Sequence, residues 1–319
     1  MPSAPAAPPA ARDAAVRPLD NATIALLSLI WGSAFLFIDV VVREVPPSTV
    51  VAGRLTVAGL LLLAIVTVTG RGLPPRRLWP VVLAVALVNN LAPFTLITWA
   101  QEHIPSSLAA TLNSTMPLFT FVIAVLAMTE RPDALRAAGL AVGFVGAVVL
   151  IGPDLGDVSG SGLLADLAVL LASVCYATGT VISRQLMRGE ALSLAAGQHA
   201  FGALIAVPVA LAVNGAPDFH ISAKAASAWV ALGVGPTAAA YVLFFWLIQR
   251  VTATQVSVVS YLIPVVATVL GWLVLDETVG PNLILGLALV LVGMSGVNGN
   301  AATLWRRVRG TAPPPVTHA

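Results

Sequence analysis

An internal repeat constrains this chain more than any other feature. Shifting the sequence by 147 positions brings Trp99 onto Trp246, Pro117 onto Pro264 and Glu130 onto Glu277. In the same ungapped frame Gly32 falls on Gly179, and Gly139, Gly146 and Gly152 fall on Gly286, Gly293 and Gly299. Shared Leu, Val and Ala would arise by coincidence in so apolar a chain. Shared Trp, Pro and Glu in one frame would not, so the chain reads as a duplication.

Each copy is made of membrane-length apolar runs. Runs of about 18 apolar residues read as transmembrane helices, and ten are present: 22–42, 48–69, 79–100, 106–128, 135–151, 163–183, 193–213, 227–248, 254–275 and 281–299. With 58% hydrophobic and 9% charged residues, the chain has too few charges to cover a soluble surface of this size. In lipid the backbone must satisfy itself within each segment, which requires helices. Five runs per repeat is an odd number, so the second copy enters the membrane from the opposite side. The expected architecture is an all-α membrane protein, ten transmembrane helices as two inverted five-helix repeats. The first repeat covers 21–152 and the second 163–300, between tails at 1–20 and 301–319 that read as disordered and cytoplasmic. Inverted repeats suit alternating access to a central site.

The basic balance (pI about 9.1) follows topology rather than a nucleic-acid partner. With both termini inside, thirteen Arg lie in cytoplasmic segments, whereas the outer loops hold only Arg43 and Lys224. That asymmetry obeys the positive-inside rule and places the chain in a cell (inner) membrane. Trp305-Arg306-Arg307 reads as an interfacial anchor after the last run.

Polar groups inside the runs are the candidates for function. Arg54 and Asp39 lie near facing ends of the first two runs, at similar depth at about 1.5 Å rise per residue. They are read either as an ion pair or as substrate and coupling groups, with Asp39 the candidate proton carrier. Trp31, Asn89, Asn90, Asn113, Tyr176, Gln198, Tyr241, Trp246 and Tyr261 are candidate cavity residues, each with interhelical bonding or packing as the alternative. Cys175, His199, Phe245 and Trp99 accompany them. Pro117 and Pro264 are repeat equivalents and candidate hinges, because each removes a helix hydrogen bond. Glu130 and Glu277 close their runs where a carboxylate would cap the following helix or pair with an Arg. Gly139-x-x-x-Gly143 with Gly146, and Gly286 with Gly293, permit close helix contact within one chain or in a homodimer.

Parts for an enzyme are missing. Only His199 of the four histidines lies in an apolar run, and Cys175 is the only cysteine. The sequence has no His-x-x-x-His zinc motif and no Walker-type loop, so neither cofactor nor metal is expected.

These residues resemble the EamA-type branch of the drug/metabolite transporter superfamily. The resemblance spans nearly all of 22–299 and rests on Ile30-Trp31-Gly32-Ser33-Ala34-Phe35, on Arg54, on Trp99 through Pro117 and Glu130 to Gly146, and on Thr237 to Tyr241, Pro264, Glu277, Gly286 and Gly293. It implies a central cavity between the halves and secondary transport of small organic solutes, exchanged with a proton or a counter-solute. Arg54 is the only intramembrane cation, which is too little positive charge for a phosphorylated solute. An exporter of amino acids or of hydrophobic cationic compounds fits better. A nucleotide-sugar or sugar-phosphate antiporter and a non-transporting membrane component are the alternatives.

Overall fold

The computed structural model describes residues 17–127, 134–152, 160–186, 191–217, 220–248, 250–251 and 253–298. Glu130, residues 1–16 of the N-terminal tail, the C-terminal tail and the Trp305 anchor lie outside them, whereas Pro18–Asp20, read as disordered tail, form the first turn of α1. Ten apolar rods are present among the described residues. They are α1 Pro18–Val42, α2 Pro47–Val68, α3 Arg76–Ala100, α4 Ser106–Leu126 and α5 Ala134–Ile151 in the first half. In the second half they are α6 Ser161–Leu186, α7 Ala191–Asn214, α8 Ala223–Ile248, α9 Ala253–Val274 and α10 Pro281–Val297. Nine are long and apolar enough to cross a membrane, and α10, at 17 residues, falls just short of that length.

The halves do not fold side by side; each helix packs mainly on helices of the other repeat. α2 lies along α7 and α5 along α10, which are repeat equivalents of each other. α1 crosses to α8 and α9, and its equivalent α6 crosses to α3 and α4. The two inverted copies therefore share one interdigitated core.

Glycine sets the closest of these contacts. A Cβ on Gly293 would lie 2.5 Å from the backbone N and Cα of Gly143, and one on Gly139 would lie 2.8 Å from the Gly293 carbonyl. Gly146 meets the α10 backbone at Val290 in the same way. The glycine faces of α5 and α10 are thus spent on each other within the chain. Of the two readings of these glycines, contact within one chain is the one seen.

Span-ending carboxylates also bind across the halves. Glu277, after α9, accepts from the backbone N–H groups of Ser106 (2.6 Å) and Ser107 (3.0 Å), which open α4. First-turn N–H groups have no partner within their own helix, and an anion there also meets the positive end of the helix dipole. Glu277 therefore does cap a helix, but α4 of the other half rather than the following helix α10. Glu44, between α1 and α2, accepts from Ser222 N (2.7 Å) and Ser222 Oγ (2.6 Å), and Ser222 in turn caps α8 through Ala225 N. Both caps lie at the end of the bundle that carries the α1–α2 loop. At the opposite end Asp20 of α1 meets Arg250 after α8, at 3.4 Å.

Two predictions follow from this packing. Gly293→Val should cost about 1–3 kcal/mol through overpacking, seen as a lower melting temperature in detergent; an unchanged melt would contradict the contact. The Ser222 donors hold the Glu44 carboxyl below its ordinary value of 4.5. A depressed folded pKa gives stability that is present above the unfolded pKa and lost as pH falls through the folded one. The melting-temperature gap between wild type and Glu44→Gln should accordingly be open at neutral pH and close below about pH 4.5.

Candidate functional site

Interrupted helices build the site. α3 contains a π-helical segment at Leu87–Leu91, and α8 contains one at Gly233–Ala239. The 147-residue frame carries 87–91 onto 234–238, so both halves widen at the same place. Single-turn π segments are rare and collect at functional positions. Here proline supplies the local cause in α8. Pro236 has no N–H to give the Leu232 carbonyl four residues back. In the π-helical turn that carbonyl takes the N–H five residues on, that of Thr237, and the Thr237 hydroxyl donates to it as well, at 2.7 Å. Its oxygen then accepts from Arg54 Nε of α2, also at 2.7 Å.

Arg54 is 7% exposed, and its guanidinium carbon sits 3.7 Å from the centre of the Phe94 ring. Phe94 in turn meets Tyr176 of α6 edge-on, with centroids 6.4 Å apart. The Tyr176 and Tyr241 hydroxyls lie within electrostatic reach of the guanidinium. Tyr241 stands edge-on to His199 of α7 at 4.8 Å. Among the described residues Arg54 has no carboxylate partner. A desolvated cation–π contact contributes about 2 kcal/mol, and a hydrogen bond from a charged group about 1.5–3 kcal/mol. Burying a charge costs several kcal/mol, which is of the same order as these contacts.

The expected pair between Arg54 and Asp39 does not form. Asp39 binds Arg43 one turn further along α1, at 2.6 Å. An i,i+4 partner on the same helix is always within reach, whereas Arg54 is drawn inward by Thr237 and Phe94. Asp39 therefore belongs to the α1–α2 end of the bundle, away from the Arg54 cluster.

Unpartnered polar atoms surround the same seam. Asn90, fully buried on the π segment of α3, has neither amide atom hydrogen-bonded. On α7, Gln198 Oε1 and His199 Nε2 are buried without partners. His199 Nδ1 lies 2.8 Å from the Ala195 carbonyl, which only accepts, so Nδ1 carries the proton and Nε2 of the neutral ring is an acceptor. Asn89 packs its amide against Gly179 of α6, where an added Cβ would be 2.7 Å away.

The remaining candidates make their contacts elsewhere. Trp31 Nε1 donates to the Pro236 carbonyl at 3.1 Å, tying α1 to the widened turn of α8, and its ring tilts on Phe244 at 5.5 Å. Trp246 lies 4.4 Å from the Arg250 guanidinium near the α8 terminus. Tyr261 accepts from Asn298 at the end of α10. Asn113 ends the first segment of α4, where Ser173 of α6 donates to its carbonyl.

The proline pair behaves unequally. α4 breaks between Ser106–Asn113 and Met116–Leu126, with Pro117 in the first turn of the second segment. α9 runs unbroken past Pro264. The difference lies just before each proline. Ser114 and Thr115 turn their hydroxyls onto the Ala110 and Leu112 carbonyls and compete with the backbone. Their equivalents, Tyr261 and Leu262, cannot do so. Thr237 and Phe94 carry the site as much as Arg54 does, and the sequence reading did not choose them. The signal was Pro236 beside Thr237, with Thr237 falling 147 positions from Asn90.

Two inverted five-helix repeats meeting at a buried polar seam define a multi-pass membrane transporter rather than an enzyme. The chain belongs to the EamA-like transporter family, whose model matches residues 21–152 and again 163–299. It is 24% identical over 270 residues to the uncharacterized transporter YoaV of Bacillus subtilis, covering 84% of this chain and 92% of that protein. It is 29% identical over 264 residues to the uncharacterized inner membrane transporter YedA of Escherichia coli K12, covering 80% and 82%. A Streptantibioticus cattleyicolor protein named as a probable terminal-alkyne amino-acid exporter is 26% identical over 293 residues, covering 91% and 96%. A crystal structure titled only as that of a protein shares the fold, with a TM-score of 0.64 at 22% identity, covering 92% of this chain and 99% of that one.

Thr237→Val should leave Arg54 Nε unpaired and cost about 1–3 kcal/mol. Thr237→Ser keeps the hydroxyl and should melt close to wild type. Equal melting of the Val and Ser variants would contradict this account of the widened turn.

Proposed function

We propose that the chain is a secondary active exporter of amino acids, working by alternating access between its inverted halves. The observation that carries this reading is Arg54: a buried cation at the seam, hydrogen-bonded to one half and borne on the other, with no carboxylate partner among the described residues. A solute carboxylate would complete its pairing. The aromatic rings of Phe94, Tyr176 and Tyr241 would receive an apolar side chain, and the amides of Asn89, Asn90 and Gln198 would bind polar groups. Arg54 disfavours a purely cationic solute at this position. One cation also falls short of the charge that a sugar phosphate needs, so the antiporter reading ranks second. The likeness to a named amino-acid exporter points the same way.

In this reading both termini and the α2–α3 loop, with Arg71, Arg76 and Arg77, face the cytoplasm. The α1–α2 end faces outward, and a proton or a counter-solute returns as the amino acid leaves. Pro117, where α4 is already broken, is the better hinge of the proline pair. Trp31 steadies the turn that presents Thr237.

The test is counterflow of a labelled amino-acid panel into proteoliposomes, with sugar phosphates in parallel. Arg54→Gln should lower amino-acid flux at least about tenfold, the loss of one charge-assisted contact. Flux of sugar phosphates alone, or amino-acid flux unchanged in Arg54→Gln, would overturn the reading.

A further inference from the structure

A cleft of about 540 Å³ opens at the α1–α2 end of the bundle, between the ends of α1, α3 and α9 and the start of α4. Its size suits a small organic solute. Asp39, Arg43, Gln101, Glu102 and Glu277 line it, three carboxylates against one guanidinium. Each has a distinct standing. Asp39 is 8% exposed and pairs with Arg43, whose side chain is 62% exposed. The Glu277 carboxylate is committed to the N–H groups of Ser106 and Ser107 yet stays within electrostatic reach of Asp39. Glu102 is exposed at the rim.

Gln101 is the residue that points to a ligand. It is only 4% exposed, and its Nε2 donates to the Phe35 carbonyl at 2.8 Å. That bond fixes the amide plane, and Oε1 is left buried with no donor. A buried acceptor without a donor costs about 1–3 kcal/mol. Beside the Asp39 carboxylate, the group that would satisfy it is a compact cation with several N–H donors. Arg43 now holds Asp39 from the exposed side, and an arriving cation would have to displace it.

We propose that this cleft is a second solute site, selective for a primary ammonium group, with Asp39 as its counter-charge and Gln101 Oε1 as its orienting acceptor. The site rests on the amino-acid reading: Arg54 takes the carboxylate when the solute sits at the central seam, and the cleft takes the ammonium when it sits at the mouth, two successive positions because the two groups share one carbon. Positive charge would be read in one place and negative charge in the other. A solute lacking either end would be held at only one of them.

Three probes separate the two sites: phenylalanine, phenethylamine, which keeps only the ammonium, and hydrocinnamate, which keeps only the carboxylate. Binding to the purified full chain is measured by calorimetry. Phenethylamine should bind the wild type, and Asp39→Asn should weaken it at least about tenfold, the loss of one charged partner. Gln101→Leu should weaken it by a smaller factor. Arg43→Gln should strengthen it, because the competing guanidinium is gone; Arg43 is exposed, so this variant should fold normally even if Asp39→Asn does not. Arg54→Gln should leave phenethylamine binding unchanged and abolish hydrocinnamate binding. Absent phenethylamine binding, or binding indifferent to both Asp39→Asn and Arg43→Gln, would overturn the cleft site. Loss of hydrocinnamate binding in Arg54→Gln would in that case still stand for the central reading.

Discussion

The site depends on one missing hydrogen bond. Pro236 cannot donate to the Leu232 carbonyl, and in a helix of this burial that carbonyl cannot turn to water. Thr237, five residues on, answers it with its N–H and its hydroxyl together, and the hydroxyl oxygen is then held in position to accept from Arg54. The widened turn, the bond across the halves and the placement of the buried Arg54 all follow from this shift of the donor from residue 236 to Thr237. Trp31 adds a third helix by donating to the Pro236 carbonyl. Remove the proline, and a regular helix would take back the Leu232 carbonyl and leave Thr237 free to turn elsewhere.

The duplication explains why this arrangement sits at the seam, and also why it is lopsided. Both halves widen at equivalent positions, but Asn90 stands where the other half has Thr237, and Phe201 stands where the first half has Arg54. The mirror of the Arg54–Thr237 bond therefore does not exist. Phe201 instead meets Trp79 edge-on at 5.6 Å, and the Asn90 amide is left without a partner. The inherited frame supplies two symmetric openings, and the departures from symmetry give the chemistry one direction. The same holds at the bundle ends, where Glu44 and Glu277 cap helices of the opposite half at one end, and Asp20 and Arg250 meet at the other. In an alternating cycle these end contacts would break by turns.

The fold was legible because rare residues mark the frame. Trp, Pro and Glu recur at one offset, and run length with loop charge does the rest. Arg54 was legible for the same reason, as an isolated cation in an apolar run. Its partner was not. Depth along two helices placed Asp39 opposite it, but depth says nothing of which way a helix faces, and Arg43 was nearer on the same helix. Glu277 was rightly read as a cap, yet the helix it caps belongs to the other repeat, a contact that arises only when the halves interdigitate. The glycine faces were readable as contacts, and only the packing of α5 on α10 shows that they meet within one chain. Thr237 stayed hidden because its role comes from a turn that its neighbour Pro236 widens, which residue type alone does not announce.

The most direct test of exchange between the two halves is a pair of distances. Spin labels at Arg43 and Lys224 would report the α1–α2 end, and labels at Leu19 and Val251 the opposite end, in a chain with Cys175 replaced by serine. Electron–electron distance measurements with and without a transported amino acid should show one pair lengthening as the other shortens. Distances that stay fixed, or that change in the same sense at both ends, would contradict an account in which inverted halves rock about the Arg54 seam.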